Sequence, residues 1–358
     1  MTGRKIPLEG ELAVDLRTGF GRRRLRFRVT GEAAVSSRPR DFATRRLPGA
    51  ALDRLAARVE LDLWSDKAAP SAVELIDRAR RADGLLCLLS DCIDSKFLSN
   101  CPKLRVISSC SVGLDHIDLA AAAARGIPVG HTPGVLVETT ADLAFALLLA
   151  AARRIPEADR FVRDGGWGSM SGWDPELLLG RDLHGATLGI VGLGAIGRAV
   201  ARRARGFGMR VLGWNRSGRR AAEVEALPLD ALLEGSDFVS IHVALSAETR
   251  GLIDAAALAK LRRGAILVNT ARGGIVDEPA LAAALANGAL AAAALDVFEG
   301  EPLDRNSPLL TAPNLVLTPH IGSASIATRS RMADLAVENL LAGLAGRPLP
   351  HCANLDSG

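Results

Sequence analysis

The sequence predicts an α/β protein made of two Rossmann-like domains, each a doubly wound parallel sheet, with one domain inserted into the other. Three observations carry this expectation. Short apolar runs alternate with helix-like patterns from Asp41 onward, the signature of strand–helix–strand units. In mid-chain, Leu188–Val191 reads as a buried strand running into Gly192-Leu193-Gly194-Ala195-Ile196-Gly197, and an Ala/Arg-rich helical pattern follows at once. After Ile321 a single substantial helix pattern remains, about Ser325–Leu344. It is too short for a domain of its own and is expected to return to the first one.

The elements follow in order. Asp41–Arg45 is predicted as a first strand, Leu52–Val59 as an amphipathic helix, and Val59–Trp64 as a strand by its alternation. Val73–Ala79 is predicted helical, and the wholly apolar Gly84–Leu89 suits a buried parallel strand. Leu104–Ser108 is a further strand, then Leu119–Arg125 a helix stopped by Gly126, and Ile127–Val129 a short strand. Glu138–Arg153 is a long apolar helix with Pro156 just beyond it. Residues 164–184 break pattern and carry Trp167 and Trp173, which reads as an arm packing on a second copy in a homodimer. Strands are then predicted at Met209–Trp214, Ser236–Val243, Ala265–Asn269, Ala291–Val297 and Leu315–Thr318, with helices at Leu229–Glu234, Ala255–Leu261 and Pro279–Ala286. The expected layout is a basic, disordered extension over 1–38, a flavodoxin-like substrate-binding domain over 39–142 and 321–358, and a dinucleotide-binding domain over 143–320. The active site falls in the cleft between the two domains.

Composition narrows the function. The chain has 358 residues, 48% hydrophobic and 4% aromatic, with a formal net charge of +4. Residues 1–38 hold nine basic against four acidic residues, so they account for the whole excess. The rest offers no basic face for nucleic acid. The Arg22–Arg28 cluster suits a solvated extension, or contact with an acidic partner. The most apolar stretch, Leu143–Ala152, is too short to span a membrane, and no secretory segment opens the chain. Five cysteines without a CxxC pair fit reduced thiols in the cytoplasm, and no metal site is expected.

The glycine run fits a dinucleotide. Gly192 permits the tight turn, Gly194 admits the pyrophosphate, and Gly197 allows helix to pack on strand. The helix N-terminus presents free N–H groups to the phosphates. A ribose-binding acid is expected about twenty residues on, but the chain there reads Trp214-Asn215-Arg216-Ser217, with Arg219 and Arg220 behind. A guanidinium and a hydroxyl suit a 2′-phosphate and a carboxylate does not, so NADP(H) is expected over NAD(H).

Three stretches lie where strands of the second domain are predicted to end: Val268–Gly274, Leu295–Pro302 and Thr318–Ala324. They supply Arg272, Glu301 and His320: an anion binder, a carboxylate and an acid/base. Reduction of a 2-keto acid needs these parts. Arg272 would hold the carboxylate and polarise the carbonyl. His320 would donate a proton to the carbonyl oxygen, oriented by Glu301. By spacing alone, a lone histidine after proline is more often a structural turn residue.

The runs SVGLDHIDLAAAAARGIPVGHTPGVLVETTADLAFALLLAAARR, DLHGATLGIVGLGAIGRAVARRARGFGM, VNTARGGIVDEPAL and ALDVFEGEP resemble the D-isomer-specific 2-hydroxyacid dehydrogenase family over nearly all of residues 41–350. The stretch PLLTAPNLVLTPHIGSASIATRSRMADLAVENLLAGLAGRPLP is most similar to its glyoxylate/hydroxypyruvate reductase branch. The resemblance implies that Arg272, Glu301 and His320 are catalytic. It also implies that the Val112–Gly113 backbone binds the substrate carboxylate and Leu89 lines the pocket. Trp173 would reach toward a partner's active site, and Ser323 would complete the substrate side. Gly192, Gly194, Ala195, Ile196, Gly197, Asn215, Arg216, Ser217, Ala244, Thr249, Thr270, Ala271, Asp296, His320 and Gly322 make up the expected cofactor contacts. Ala195 stands where the family often has Arg, and Ala244 where it usually has Pro. No regulatory domain is seen after residue 350, unlike the longer phosphoglycerate dehydrogenases. The expected activity is NADPH-dependent reduction of glyoxylate and hydroxypyruvate to glycolate and D-glycerate. The alternatives are another D-2-hydroxyacid dehydrogenase (D-lactate, 2-ketogluconate, phosphoglycerate or phosphite type) and a dinucleotide-sensing scaffold.

Overall fold

The computed structural model describes residues 38–216, 218, 221 and 224–355, and the backbone of two earlier strands. Those strands, β1 (Lys5–Thr18) and β2 (Gly21–Ala34), pair antiparallel as a sheet of their own. Composition suggests no order here; the backbone forms two paired strands instead. The register gives the reason. Leu12 and Val14 stand opposite Phe27 and Leu25, while Glu11 and Asp15 stand opposite Arg28 and Arg24. A period-2 alternation is a strand signal that a charge count conceals.

The first parallel sheet comprises β3 (Arg40–Ala43), β4 (Glu60–Leu63), β5 (Gly84–Cys87), β6 (Val106–Ser109) and β7 (Val129–Gly130), in the order β4-β3-β5-β6-β7. This is the flavodoxin-like order. Its helices are α1 (Ala51–Ala56), α2 (Ala72–Ala79), α3 (Ser95–Asn100) and α4 (Leu119–Ala124). Ser71 and Glu74 form a reciprocal capping box on α2. Pattern reading overlooks α3, which is short. Asp94 caps it through the Phe97 N–H, and it buries only Phe97 and Leu98.

The chain then enters α5 (Val137–Ala152) and α6 (Ile155–Arg163). The sequence suggests that Pro156 ends helical structure, but it starts a second helix. Arg154, at φ 53°, turns the chain, and Pro156 sits in the first turn of α6, where its missing N–H costs nothing.

The second sheet contains β8 (Thr187–Val191), β9 (Arg210–Trp214), β10 (Glu225–Ala226), β11 (Phe238–Ile241), β12 (Ala265–Asn269), β13 (Leu290–Leu295) and β14 (Leu315–Leu317). The helices among them are α7 (Ala195–Gly206), α8 (Leu229–Gly235), α9 (Ala255–Lys260) and α10 (Glu278–Ala286). All pairings are parallel, in the order β10-β9-β8-β11-β12-β13-β14. The order reverses between β8 and β11, which places the glycine turn at the switch point where such sheets bind ligands. Buried residues of α5 and α7, among them Leu148, Ala199 and Val200, pack with Leu188, Ile190 and Val268. The last helix, α11 (Ile326–Leu344), crosses back to the first sheet. Ala336, Val337 and Leu340 join Leu55, Leu86 and Val106 there, and the Ser108 hydroxyl donates to Ala336 O at 2.7 Å. Among the described residues, no helix is long and apolar enough to cross a membrane, and no cluster of three or more metal-ligating side chains occurs.

One core residue breaks the pattern. Asp41 on β3 is fully buried, and neither carboxylate oxygen has a partner among the described residues. It lies against Gly84, where a Cβ would come within 2.6 Å of Oδ1, and near Leu340 and Leu344 of α11. Burial pushes its carboxyl well above the usual range. The group therefore holds its proton more tightly folded than unfolded. Its cost to stability is therefore least below about pH 4, where it is protonated in both states, and is felt in full once pH has risen through the folded-state value. Replacement by an apolar residue is expected to stabilise the protein. Asp41→Val should gain about 1–3 kcal/mol at pH 8 and less at pH 5 in urea unfolding. A gain that does not change with pH would show that the carboxyl is not the source.

Candidate active site

The glycine turn at the end of β8 meets the demands of a pyrophosphate cradle. Gly192 has φ +108°, and a Cβ there would strike the His242 backbone at the end of β11. A Cβ on Gly197 would overlap the Gly192 carbonyl, so only glycine lets α7 sit this close to the strand. Gly194, the N-cap of α7, faces open space, and no side chain caps the helix among the described residues. The first N–H groups of α7, at Ala195, Ile196 and Gly197, are thereby left for an anionic ligand. Thr270 adds a second fitting feature: its hydroxyl is buried without a partner among the described residues. The residues present thus suit a dinucleotide.

At the adenosine end, Asn215 and Arg216 follow β9 with no acid in the expected place. Arg216 Nη1 instead meets Glu248 Oε2 at 2.9 Å. Ser217 lies outside the described residues. Thr249 serves its own loop, donating to Ala244 O at 2.7 Å and accepting from Ser246 N at 2.8 Å.

Three loops at the ends of β12, β13 and β14 bring the reactive side chains together. Asn269, almost fully buried, accepts from Ala271 N at 3.0 Å and donates to Arg272 O at 2.9 Å. These bonds fix the turn that presents Arg272. Arg272 Nε then donates to Asp115 Oδ1 at 3.0 Å, across from the first sheet, and Nη1 to Ala271 O at 2.8 Å. Burial works against the Asp115 carboxylate, but the charge and hydrogen bond of Arg272 outweigh it and hold it below its usual range. A Cβ on Gly113 would overlap the Arg272 guanidinium, so a glycine there is what lets the cation approach the Val112–Gly113 backbone. Beside it, burial pushes His116 down to about 4, which leaves it neutral at pH 7.

His320 is anchored from below. Asp296 is fully buried and accepts from Thr318 Oγ1 at 2.6 Å, Ile321 N at 2.8 Å and Gly322 N at 2.8 Å. Burial raises its carboxyl, with these bonds acting in the opposite direction. The turn they close holds His320 at φ +52°, an unusual conformation for a non-glycine residue. His320 Nδ1 pairs with Glu301 Oε2 at 2.6 Å, and Phe298 N donates to Glu301 Oε1 at 3.1 Å. Burial opposes the Glu301 carboxylate, yet the hydrogen bond and charge of His320 bring it below its usual range. With Nδ1 engaged, Nε2 is the nitrogen left to exchange a proton with a ligand.

Arg272, Glu301 and His320 share one cavity of about 570 Å³ with Leu89, Ser90 and Asp115 of the first domain and Phe298 of the second. Val112, Gly113 and Ser323 are not among its lining residues, and Trp173 stands 88% exposed on the arm. Sequence reading assigns no role to Asp115, Asn269 or Thr318. A cavity of about 1110 Å³ lies elsewhere, between α5, α6 and the β13–β14 side of the sheet, and holds none of the predicted catalytic residues.

Comparison with known proteins gives the family. Residues 145–322 match the family model for the D-isomer specific 2-hydroxyacid dehydrogenase, NAD binding domain. The glyoxylate reductase of Korarchaeum cryptofilum is 51% identical over 321 residues, covering 88% of this chain and 96% of that protein. That of Thermococcus litoralis is 46% identical over 324 residues, covering 89% and 98%. A crystal structure of a Thermus thermophilus protein superposes with TM-score 0.83 at 50% identity, over 88% of this chain and 99% of that one. The NADPH-dependent glyoxylate/hydroxypyruvate reductase of Sinorhizobium meliloti, in complex with NADP and malonate, does so with TM-score 0.79 at 34% identity, over 88% and 97%. The chain belongs to the D-isomer-specific 2-hydroxyacid dehydrogenase family, in its glyoxylate reductase branch.

Proposed function

We propose that this enzyme reduces glyoxylate and hydroxypyruvate to glycolate and D-glycerate, with NADPH preferred over NADH. The observation that carries the reading is the convergence of Arg272 and the Glu301–His320 pair on one cavity between the two sheets. Arg272 binds the substrate carboxylate and draws electron density from the carbonyl. His320 gives its Nε2 proton to the carbonyl oxygen as that oxygen gains charge, and Glu301 stabilises the protonated ring and fixes its plane. The reduced nicotinamide, when bound, supplies the hydride that reaches the carbonyl carbon. His320 is then reprotonated from solvent for the next cycle. Asn269 and Asp296 act through the two catalytic loops, and Asp115 positions Arg272.

The phosphorylated cofactor is supported by Asn215 where an acid would repel a 2′-phosphate, by Arg216 beside it, and by the NADP bound to the Sinorhizobium meliloti relative. A homodimer is supported by the arm. Trp167, Trp173 and Leu179 are more than half exposed, and the larger cavity opens beside Leu179 and Leu310. A second copy would cover that apolar surface and bring Trp173 to its partner's cleft. We place the enzyme in the cytoplasm, where its five free thiols would persist. The folded domains divide, in this reading, into 39–142 with 321–358 on the substrate side and 143–320 on the cofactor side.

Oxidation of NADPH should be fast with glyoxylate and hydroxypyruvate and slower with pyruvate and 2-ketogluconate; no turnover on any of them would sink the assignment. His320→Ala should cut kcat by about 10²–10⁴-fold while NADPH still binds, and near-normal kcat would remove the histidine from proton transfer. Arg216→Asp should reverse the NADPH/NADH ratio of kcat/KM. Light scattering should give the mass of a dimer, shifted toward monomer by Leu179→Asp combined with Trp167→Asp; a wild-type monomer at micromolar concentration would refute the arm's role.

A further inference from the structure

The adenosine end holds a charge arrangement that the catalytic reading leaves unused. Arg216 does not stand alone in solvent: its guanidinium is paired with Glu248 at 2.9 Å, from the loop that follows β11. The same carboxylate oxygen, Oε2, accepts from the Ser246 hydroxyl at 2.6 Å. That bond, foremost, holds the Glu248 carboxyl below its usual range, with Arg216 adding to the effect. Both members of the pair are about two-thirds exposed, so the guanidinium is only weakly held and open to capture by a better anion. The carboxylate is not equally free to leave, because Ser246 and the Thr249-closed loop keep it in place.

We propose that Glu248 is a specificity-determining residue that competes with the 2′-phosphate for Arg216 and so limits the preference for the phosphorylated cofactor. The proposal rests on the NADPH reading above. A 2′-phosphate carries more charge and more acceptor oxygens than the carboxylate, so it takes the guanidinium and then faces the tethered Glu248 across a short distance. Like-charge repulsion subtracts from its binding. With NADH there is no such competitor. The Arg216–Glu248 pair stays closed, and the cation beside the ribose is neutralised. The acid missing at Asn215 is thus replaced by one from another loop, set to moderate the site and not to exclude the phosphate.

The test measures dissociation constants of NADPH and NADH for the full chain at low salt, using cofactor fluorescence. The proteins are wild type, Glu248→Gln, Glu248→Ala, Arg216→Ala and Arg216→Ala combined with Glu248→Gln, with thermal melts confirming folding. Either neutral variant at 248 should tighten NADPH by about threefold to tenfold and leave NADH within about twofold. The gain should largely vanish in the Arg216→Ala background and shrink with added salt. Unchanged NADPH binding in the Glu248 variants, where Arg216→Ala still weakens NADPH, would overturn the role of Glu248 and leave the NADPH reading intact. Equal shifts for both cofactors would reduce Glu248 to a loop support, and an undiminished gain without Arg216 would deny the competition. Arg216→Ala without effect on NADPH would remove both readings.

Discussion

The buried carboxylate of Asp296 is the constraint on which the reactive end of this molecule depends. It sits at the end of β13 with no exposure to solvent and receives one hydroxyl and two backbone N–H groups from the turn after β14. A carboxyl in such surroundings is costly unless its oxygens are occupied, and here the occupying donors belong to the chain that carries His320. Satisfying Asp296 and bending the backbone through φ +52° at His320 are therefore one event. Thr140 on α5 adds a bond to Gly322 O at 3.1 Å, which ties the same turn to the helix that leads into the second domain. Asn269 does for the Arg272 loop what Asp296 does for the His320 loop. In both cases a polar group on the last residues of a central strand, or just beyond it, holds the loop that carries Arg272 or His320 through backbone bonds. The histidine and arginine are thus held before any ligand arrives.

The two sheets meet at this end through charge more than through apolar packing. Arg272 belongs to the second domain and Asp115 to the first, and their bond crosses the cleft. A substrate carboxylate would offer Arg272 the same chemistry as Asp115 does. Because Asp115 binds through Nε, the guanidinium keeps further donors for an incoming anion. Farther from the cavity, the crossing segments α5 and α11 meet where the Thr139 and Thr328 hydroxyls approach to 2.6 Å. Each of these helices joins the apolar core of one domain: α5 packs with β8 and β12, and α11 with β5 and β6. These contacts between the domains are accordingly polar, while each sheet is covered on its two faces by separate, mainly apolar clusters.

Much of this was legible in the sequence, and the reasons for success and failure are physical. Ala265–Asn269 is a strand where its apolar run Ala265–Val268 marks one, because a central parallel strand is buried on both faces and so reads as a near-continuous apolar run. Gly192 and Gly197 announce their turn because no other residue fits the backbone contacts made there. Helix α6 was hidden by reading Pro156 as a stop, when the turn at Arg154 makes it a start. The Arg216–Glu248 and Arg272–Asp115 pairs were invisible because their members lie 32 and 157 residues apart. Periodicity reports which face of an element is buried, and nothing in it reports which loop will face another across a cleft. Asp41 is the reverse case, a charged letter in a strand whose place in the core the apolar neighbours dictate and whose own chemistry opposes.

The contrast between the Asp296 turn and the Arg216–Glu248 pair follows from burial. Around Asp296 and Asn269 polar groups are withdrawn from water, so each hydrogen bond is strong and each loss would be costly. A residue there is constrained by several partners at once, and its replacement would disturb position before it disturbed charge. Around Arg216 and Glu248 the groups are solvated, water screens their attraction, and partners can exchange at little cost. Substitution at Arg216 or Glu248 touches none of the bonds around Asp296, since Glu248 is held by Ser246 and Arg216 and Asp296 by the turn after β14. The fold therefore separates a buried turn held by several hydrogen bonds around Asp296 from a solvated, exchangeable ion pair at Arg216 and Glu248.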